Sequence, residues 1–135
     1  MDYDAFISYS HAADGQLAPA IQDGLQRLAK PWHKRRALRV FRDQTGLSVN
    51  PHLWESIVEA LDSSQWFIVL ASPEAAESAW VNREIEQFLS RGDDARARLL
   101  PIVTDGVWAW DETTGGFSAA TNCVPPALAH AFVSE

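Results

Sequence analysis

Hydrophobic positions along the chain fall into four short runs separated by longer amphipathic segments. Ala5 to Tyr9, Arg39 to Arg42, Trp66 to Ala71 and Leu99 to Thr104 have the length of strands. The run "WFIVLA", Trp66 to Ala71, is apolar at every position, as a central parallel strand covered on both faces requires. Between the runs the spacing becomes helical. Leu17, Ile21, Leu25 and Leu28 recur at i, i+4, i+8 and i+11, which predicts a buried stripe. Pro19 fits only near the start of that helix. Leu53, Ile57 and Leu61 predict a second helix, with Asn50 as its N-cap and Pro51 at its first position. Val81, Ile85 and Phe88 or Leu89 predict a third.

The resulting order, β-α-β-α-β-α-β, is that of an open parallel sheet with right-handed crossovers. After Asp105 the pattern weakens. "DGVWAWDETTGGFSAATNCVPP" reads as a long polar and aromatic loop, and Leu128 to Val133 as at most a short helix. A fifth strand beyond Thr104 would extend the sheet, and the sequence offers no good one. The expectation is one domain over residues 1–135 that stops early, as a piece of a longer protein would.

Composition narrows the class. With 135 residues, 47% hydrophobic and 21% charged, the chain suits a folded domain with a single core. Its longest apolar run is far too short to span a bilayer. "MDYDAFISYS" carries acidic residues where a signal peptide needs basic ones, so the expected location is the cytoplasm. One cysteine, Cys123, excludes an intrachain disulfide and a cysteine-based zinc cluster. A net charge of −7 opposes binding to nucleic acid or an anionic membrane. The basic run "KPWHKRRALR" therefore reads as a solvated connector. Scarce lysine against plentiful arginine and alanine points to a GC-rich bacterial genome.

Ligands of such sheets bind beyond the carboxyl ends of the strands. "SYSH", "RDQTGLSVNP", "SPEAAES" and the start of the helix bearing Trp80 and Glu84 should converge there. Neither a dinucleotide-binding G-x-G-x-x-G, nor a P-loop, nor a G-x-S-x-G elbow is present. His11, His33, His52 and His130 lack metal-ligand spacing. A phospho-receiver would need an aspartate where this chain has Ala71-Ser72-Pro73. Trp80 and Glu84 lie four residues apart, on a stripe expected beside the buried one. Taken blind, such a pair is more often core packing next to a solvated carboxylate than a site. Trp108 and Trp110 fit either a docking patch or a cap on the core. His11 fits either a loop residue or a phosphate contact.

The residues carry a further signal. "YDAFISYS" resembles the first strand of Toll/interleukin receptor (TIR) domains. "FRDQTGLSVNPHLWESIVEAL" resembles their second strand, mobile loop and following helix, and "SSQWFIVLASP" their third strand. "WVNRE" matches the W-x-x-x-E of the NAD-cleaving TIR group. The four blocks occur in order from Tyr3 to about Thr104. The details are similar to a bacterial subgroup whose TIR module heads a longer chain with an NTPase or propeller-type sensor region. Pattern and resemblance together predict an α/β, flavodoxin-like open parallel sheet of order 2-1-3-4(-5). Helices should cover both faces, with the fifth strand missing.

The resemblance implies cleavage of the nicotinamide–ribose bond of NAD, as substrate and with no cofactor or metal, followed by hydrolysis or cyclisation. It implies Glu84 as the catalytic carboxylate and Trp80 as an apolar wall beside it. Ser8, Tyr9, Ser10 and His11 occupy the loop that lines the nucleotide site in related domains. Many relatives have a basic residue there; this chain offers Ser10 and His11 instead. Arg42, Arg83 or backbone N–H groups are the substitutes for phosphate recognition. Asp43 to Pro51, including Asp43 and Leu47, matches the mobile loop that completes a neighbouring subunit's site. The expected partners are NAD and other TIR domains, in an effector of bacterial immune signalling switched on by self-association. The alternative is a non-enzymatic TIR scaffold. Glu84 favours the enzyme, because scaffold TIR domains commonly lack that carboxylate.

Overall fold

The computed structural model describes residues 3–28, 39–42 and 51–133. Four parallel strands, β1 (Tyr3–Ser8), β2 (Val40–Arg42), β3 (Ser64–Ala71) and β4 (Leu99–Val103), form one sheet in the order β2-β1-β3-β4. That is the expected flavodoxin-like order. The register places Phe6 opposite both Phe41 and Phe67, and Ile7 opposite both Arg42 and Ile68. Side chains alternate between faces along a strand, so β1 serves two cores. Phe6 belongs to one hydrophobic cluster, while Ala5, Ile7 and Tyr9 belong to the other.

The first face is packed by α3 (Pro51–Asp62), α5 (Ala79–Leu89) and α7 (Pro126–Val133). An aromatic row fixes α5 on it. Phe6 stacks with Phe41 at 5.1 Å and with Phe67 at 5.7 Å, and Phe88 of α5 meets Phe67 at 5.1 Å. The second face is covered by α2 (Leu17–Leu28), whose Ile21 and Leu25 pack against Ile7, Tyr9 and Val40. The expected stripe of α2 shifts by one position at its start. Leu17 is exposed and Ala18 is fully buried, at the point where α2 follows the short helix α1 (His11–Asp14) after a two-residue turn. Leu28's side chain and Asn50, the expected N-cap of α3, lie outside the described residues; α3 does begin at Pro51.

The third predicted helix, bearing Trp80 and Glu84 and expected just beyond "SPEAAES", is α5, and "SPEAAES" itself holds a further short helix. Ser78 divides α4 (Pro73–Glu77) from α5, donating its N–H to the Ala75 carbonyl while its hydroxyl accepts from the Val81 N–H at 3.1 Å. A short α6 (Asp93–Arg96) leads into β4. Beyond Asp105 the segment expected to be a loop contains an antiparallel ribbon, β5 (Trp110–Asp111) with β6 (Gly116–Phe117). Trp108 and Trp110 both meet Phe117 edge-on at 5.1 Å, which holds the ribbon together. Trp108 packs onto the core, whereas Trp110 remains exposed. The ribbon does not join the main sheet. Among the described residues β4 is its edge, with Leu100, Ile102 and Val103 exposed by 45%, 40% and 46%.

Candidate functional site

The carboxyl ends of β1 and β2 gather some of the predicted residues, in two groups on opposite faces of the sheet. Ser8 ends β1 on the face occupied by α5, and it is fully buried. Its hydroxyl donates to Glu84 Oε1 at 2.7 Å. Glu84 is 1% exposed. Val81, Glu84, Ile85 and Phe88 are all buried, at i, i+3, i+4 and i+7 on one side of the helix. Glu84 therefore lies in the buried stripe itself, not on the neighbouring one expected from the spacing. A carboxylate there costs several kcal/mol of desolvation. A side chain placed at such cost, beneath the rim where ligands of this fold bind, marks a candidate site.

Trp80, one turn before Glu84, is half-buried. Its ring meets Trp54 of α3 edge-on at 5.4 Å, and the Arg83 guanidinium lies 3.9 Å over the Trp54 ring. Trp80 and Arg83 thus clamp α3 to α5. Asn82, between them, binds three elements. Its amide nitrogen donates to the carbonyls of Ala76 and Ser78 at 3.2 and 2.9 Å, and its oxygen accepts from the Ala127 N–H at 3.0 Å. All five residues in "WVNRE" have defined places: Val81 in the core, Trp80, Asn82 and Arg83 in the scaffold, and Glu84 against Ser8.

On the opposite face of the sheet a second group assembles. Tyr9 is 4% exposed and stacks on His11 at 4.5 Å. Arg42, the last residue of β2, donates from its terminal nitrogen to the Tyr9 hydroxyl at 3.0 Å. Ser10 caps α1, its hydroxyl accepting from the Ala13 N–H at 3.3 Å. Tyr9, His11 and Arg42 are therefore together, and Ser8 and Glu84 are together, with the end of β1 between the two groups. Ser10 serves α1. Asp43 and Leu47 lie outside the described residues.

Sequence reasoning missed Asp14, Gln22, Trp54 and Asn82. Asp14 is buried at the ends of β3 and β4, where its carboxylate accepts from the Thr104 hydroxyl at 3.0 Å. Burial pushes its carboxyl above the ordinary range; the Thr104 hydroxyl opposes the rise, while Glu74 and Asp105 add to it. Nothing in the spacing of Asp14 marks it. Gln22 carried a weak signal, as a polar residue beside Ile21 on the sheet-facing side of α2. No group of three or more metal-binding side chains occurs among the described residues. None of the described helices is long and apolar enough to cross a membrane.

Comparison with known proteins agrees with this architecture. The sequence model of the TIR domain family matches residues 5–123. The chain is 61% identical over 136 aligned residues to NAD(+) hydrolase ApTIR of Actinoplanes sp., covering all of this chain and 19% of that protein. It is 28% identical over 101 residues, 75% of its length, to NAD(+) hydrolase TcpA of a Theionarchaea archaeon, of which it spans 28%. Among solved structures, the TIR domains of the activated Roq1 resistosome directly recognizing the pathogen effector XopQ superpose with a TM-score of 0.57 at 18% identity. That match covers 84% of this chain and 61% of the other, and it shows a shared fold.

Proposed function

The chain belongs to the TIR domain family, and on that premise we propose that it cleaves the nicotinamide–ribose bond of NAD with Glu84 as the catalytic carboxylate. The observation that carries this reading is the buried Glu84 held by the Ser8 hydroxyl at the carboxyl end of β1. The names of two relatives as NAD(+) hydrolases support it.

The chemistry suits a single carboxylate. Nicotinamide leaves from a nitrogen that is already cationic, so its departure needs no general acid. A glycosidase acting on a neutral ether link typically uses two carboxylates. As the bond stretches, positive charge develops on the ribose. A fixed carboxylate in a poorly solvated place stabilises that charge more than water does. Ser8 holds one oxygen of Glu84 in place, which removes part of the reorganisation needed at the moment of reaction. Trp80 keeps the α5 side of the pocket apolar. Water attack on the resulting ribosyl cation gives ADP-ribose, and attack by the adenine of the same molecule gives a cyclic product.

Substrate lies across the end of β1 in this reading. Its nicotinamide ribose sits above Ser8 and Glu84, and its phosphates reach Arg42, Tyr9 and His11 on the other face. Asp43 and Leu47 complete the site from the loop after β2. Self-association switches the activity on, within a bacterial immune effector acting in the cytoplasm. The chain spans less than a third of either curated relative, and the exposed edge of β4 suits a further strand. Both support its being one module of a longer protein with a sensor region.

The decisive experiment incubates the domain with NAD at high protein concentration and measures free nicotinamide, for the wild type and Glu84→Gln. Release by the wild type alone is expected. Equal release by both would remove Glu84 from the catalytic role.

A further inference from the structure

Arg42 is held before any ligand arrives, and the residue that holds it comes from α2. Gln22 donates its amide N–H to the Val40 carbonyl at 2.8 Å. A carbonyl accepts only, so this bond fixes which end of the amide is nitrogen. The Gln22 oxygen then faces the Arg42 Nε, from which it accepts at 3.0 Å. One terminal nitrogen of Arg42 donates to the Tyr9 hydroxyl at 3.0 Å. The planar guanidinium is therefore pinned at two points, to α2 and to the end of β1. These bonds occupy two of the five donors that any arginine carries. Among the described residues, the other terminal nitrogen has no hydrogen-bond partner.

We propose that Gln22 is the positioning residue of an anion site in which Arg42 takes the pyrophosphate of the dinucleotide. The proposal rests on the NAD reading above, which already brings the phosphates to Arg42, and adds to it the residue that holds Arg42 in place. A guanidinium suits this task because its fork matches phosphate oxygens, and pre-orientation lowers the entropy lost on binding. The position suits it too. Arg42 lies on the face opposite Glu84, so the phosphate charge is kept away from the catalytic carboxylate by the sheet edge. This also answers the lack of an arginine or lysine in the loop from Ser8 to His11: the permanent cation comes from the end of β2 instead.

The test is calorimetric binding of two probes to the 135-residue chain. ADP-ribose carries the pyrophosphate and nicotinamide riboside carries no phosphate. Gln22→Met keeps the side-chain length and loses both hydrogen bonds. It should weaken ADP-ribose about tenfold, the scale of one charge-assisted contact, and leave nicotinamide riboside unchanged. Arg42→Gln should do the same, and the double variant should be no weaker than Arg42→Gln alone, because the two residues act as a unit. Equal weakening of both probes, or additive losses, would overturn the proposal.

Gln22→Glu guards against a folding defect. It keeps an acceptor for the Arg42 Nε, loses the donor to the Val40 carbonyl, and sets a negative charge against the guanidinium. ADP-ribose affinity should fall while the thermal midpoint holds; unchanged affinity would overturn the proposal. A wild type that binds ADP-ribose with this pattern but releases no nicotinamide from NAD would reject the hydrolase reading and leave the Gln22 site standing. A wild type that cleaves NAD with KM indifferent to Gln22→Met and Arg42→Gln would reject the Gln22 site alone.

Discussion

The Ser8 hydroxyl donates to Glu84 Oε1 at 2.7 Å, joining the end of β1 to the middle of α5 across 76 positions of sequence. Both residues are shielded from solvent. In the proposed reaction this bond orients the carboxylate that faces the developing charge. Ser8→Ala should lower kcat for nicotinamide release about tenfold with KM little changed, as loss of a hydrogen bond to a charged group predicts. Combining it with Glu84→Gln should add nothing further. A rise in KM at constant kcat would instead place Ser8 in substrate binding.

Burial of Glu84 also carries a stability signature. Removing the carboxylate relieves its desolvation, but in the Glu84→Leu variant the buried Ser8 hydroxyl loses its acceptor, at a cost of about 1–3 kcal/mol. In a Ser8→Ala background, which removes that cost, Glu84→Leu should leave the urea midpoint unchanged or raise it while removing activity. A large drop in the midpoint would show that Glu84 supports the fold instead.

Arg83 separates packing from recognition. Its guanidinium lies 3.9 Å over Trp54, and an exposed contact of this kind contributes about 0.5–1 kcal/mol. If Arg83 serves that clamp alone, Arg83→Ala lowers stability by this amount and leaves KM for NAD unchanged. A rise in KM without loss of stability would place it on the phosphates.

Asp14 should give the fold a pH dependence of a definite sign. Burial raises its carboxyl above the ordinary 3.8, so the folded chain binds this proton more tightly than the unfolded one. The stabilisation is complete below the unfolded value and is lost as pH rises through the folded one. Asp14→Asn keeps an acceptor for Thr104 without the charge. Its thermal midpoint should exceed that of the wild type at pH 7, and the gap should close toward pH 3. A constant gap across that range would mean that the charge of Asp14 is not the cause.

If neighbouring copies complete one another's sites, nicotinamide release should rise faster than linearly with protein concentration. Forced oligomers should then be active at concentrations where the free chain is not. Strict proportionality would show that one chain suffices.

Much of this was legible in the sequence. "WFIVLA" is apolar on both faces because β3 is central, and Ile57 and Leu61 reach the core as their spacing required. Leu17 did not, since periodicity is blind to the angle at which a preceding turn admits a helix. The short helix α4 ahead of α5 was also unread, because five residues are too few for a periodic stripe to register. The ribbon at Trp110 and Phe117 is only two residues per strand, too short for any alternation to register.

The sequence by itself determined the strand order, the two-faced core and the presence of a tryptophan and a carboxylate one helical turn apart. These follow from hydrophobic spacing, which is local, and from the family's motifs, which are contiguous. Tertiary structure alone decided that Glu84 is buried against Ser8, that Trp80 and Arg83 close on Trp54, and that Gln22 holds Arg42. Each of these pairings crosses from one element to another. Which side chains meet there depends on how the aromatic row seats α5 and how α2 enters its face, and neither is encoded in the spacing of any single segment.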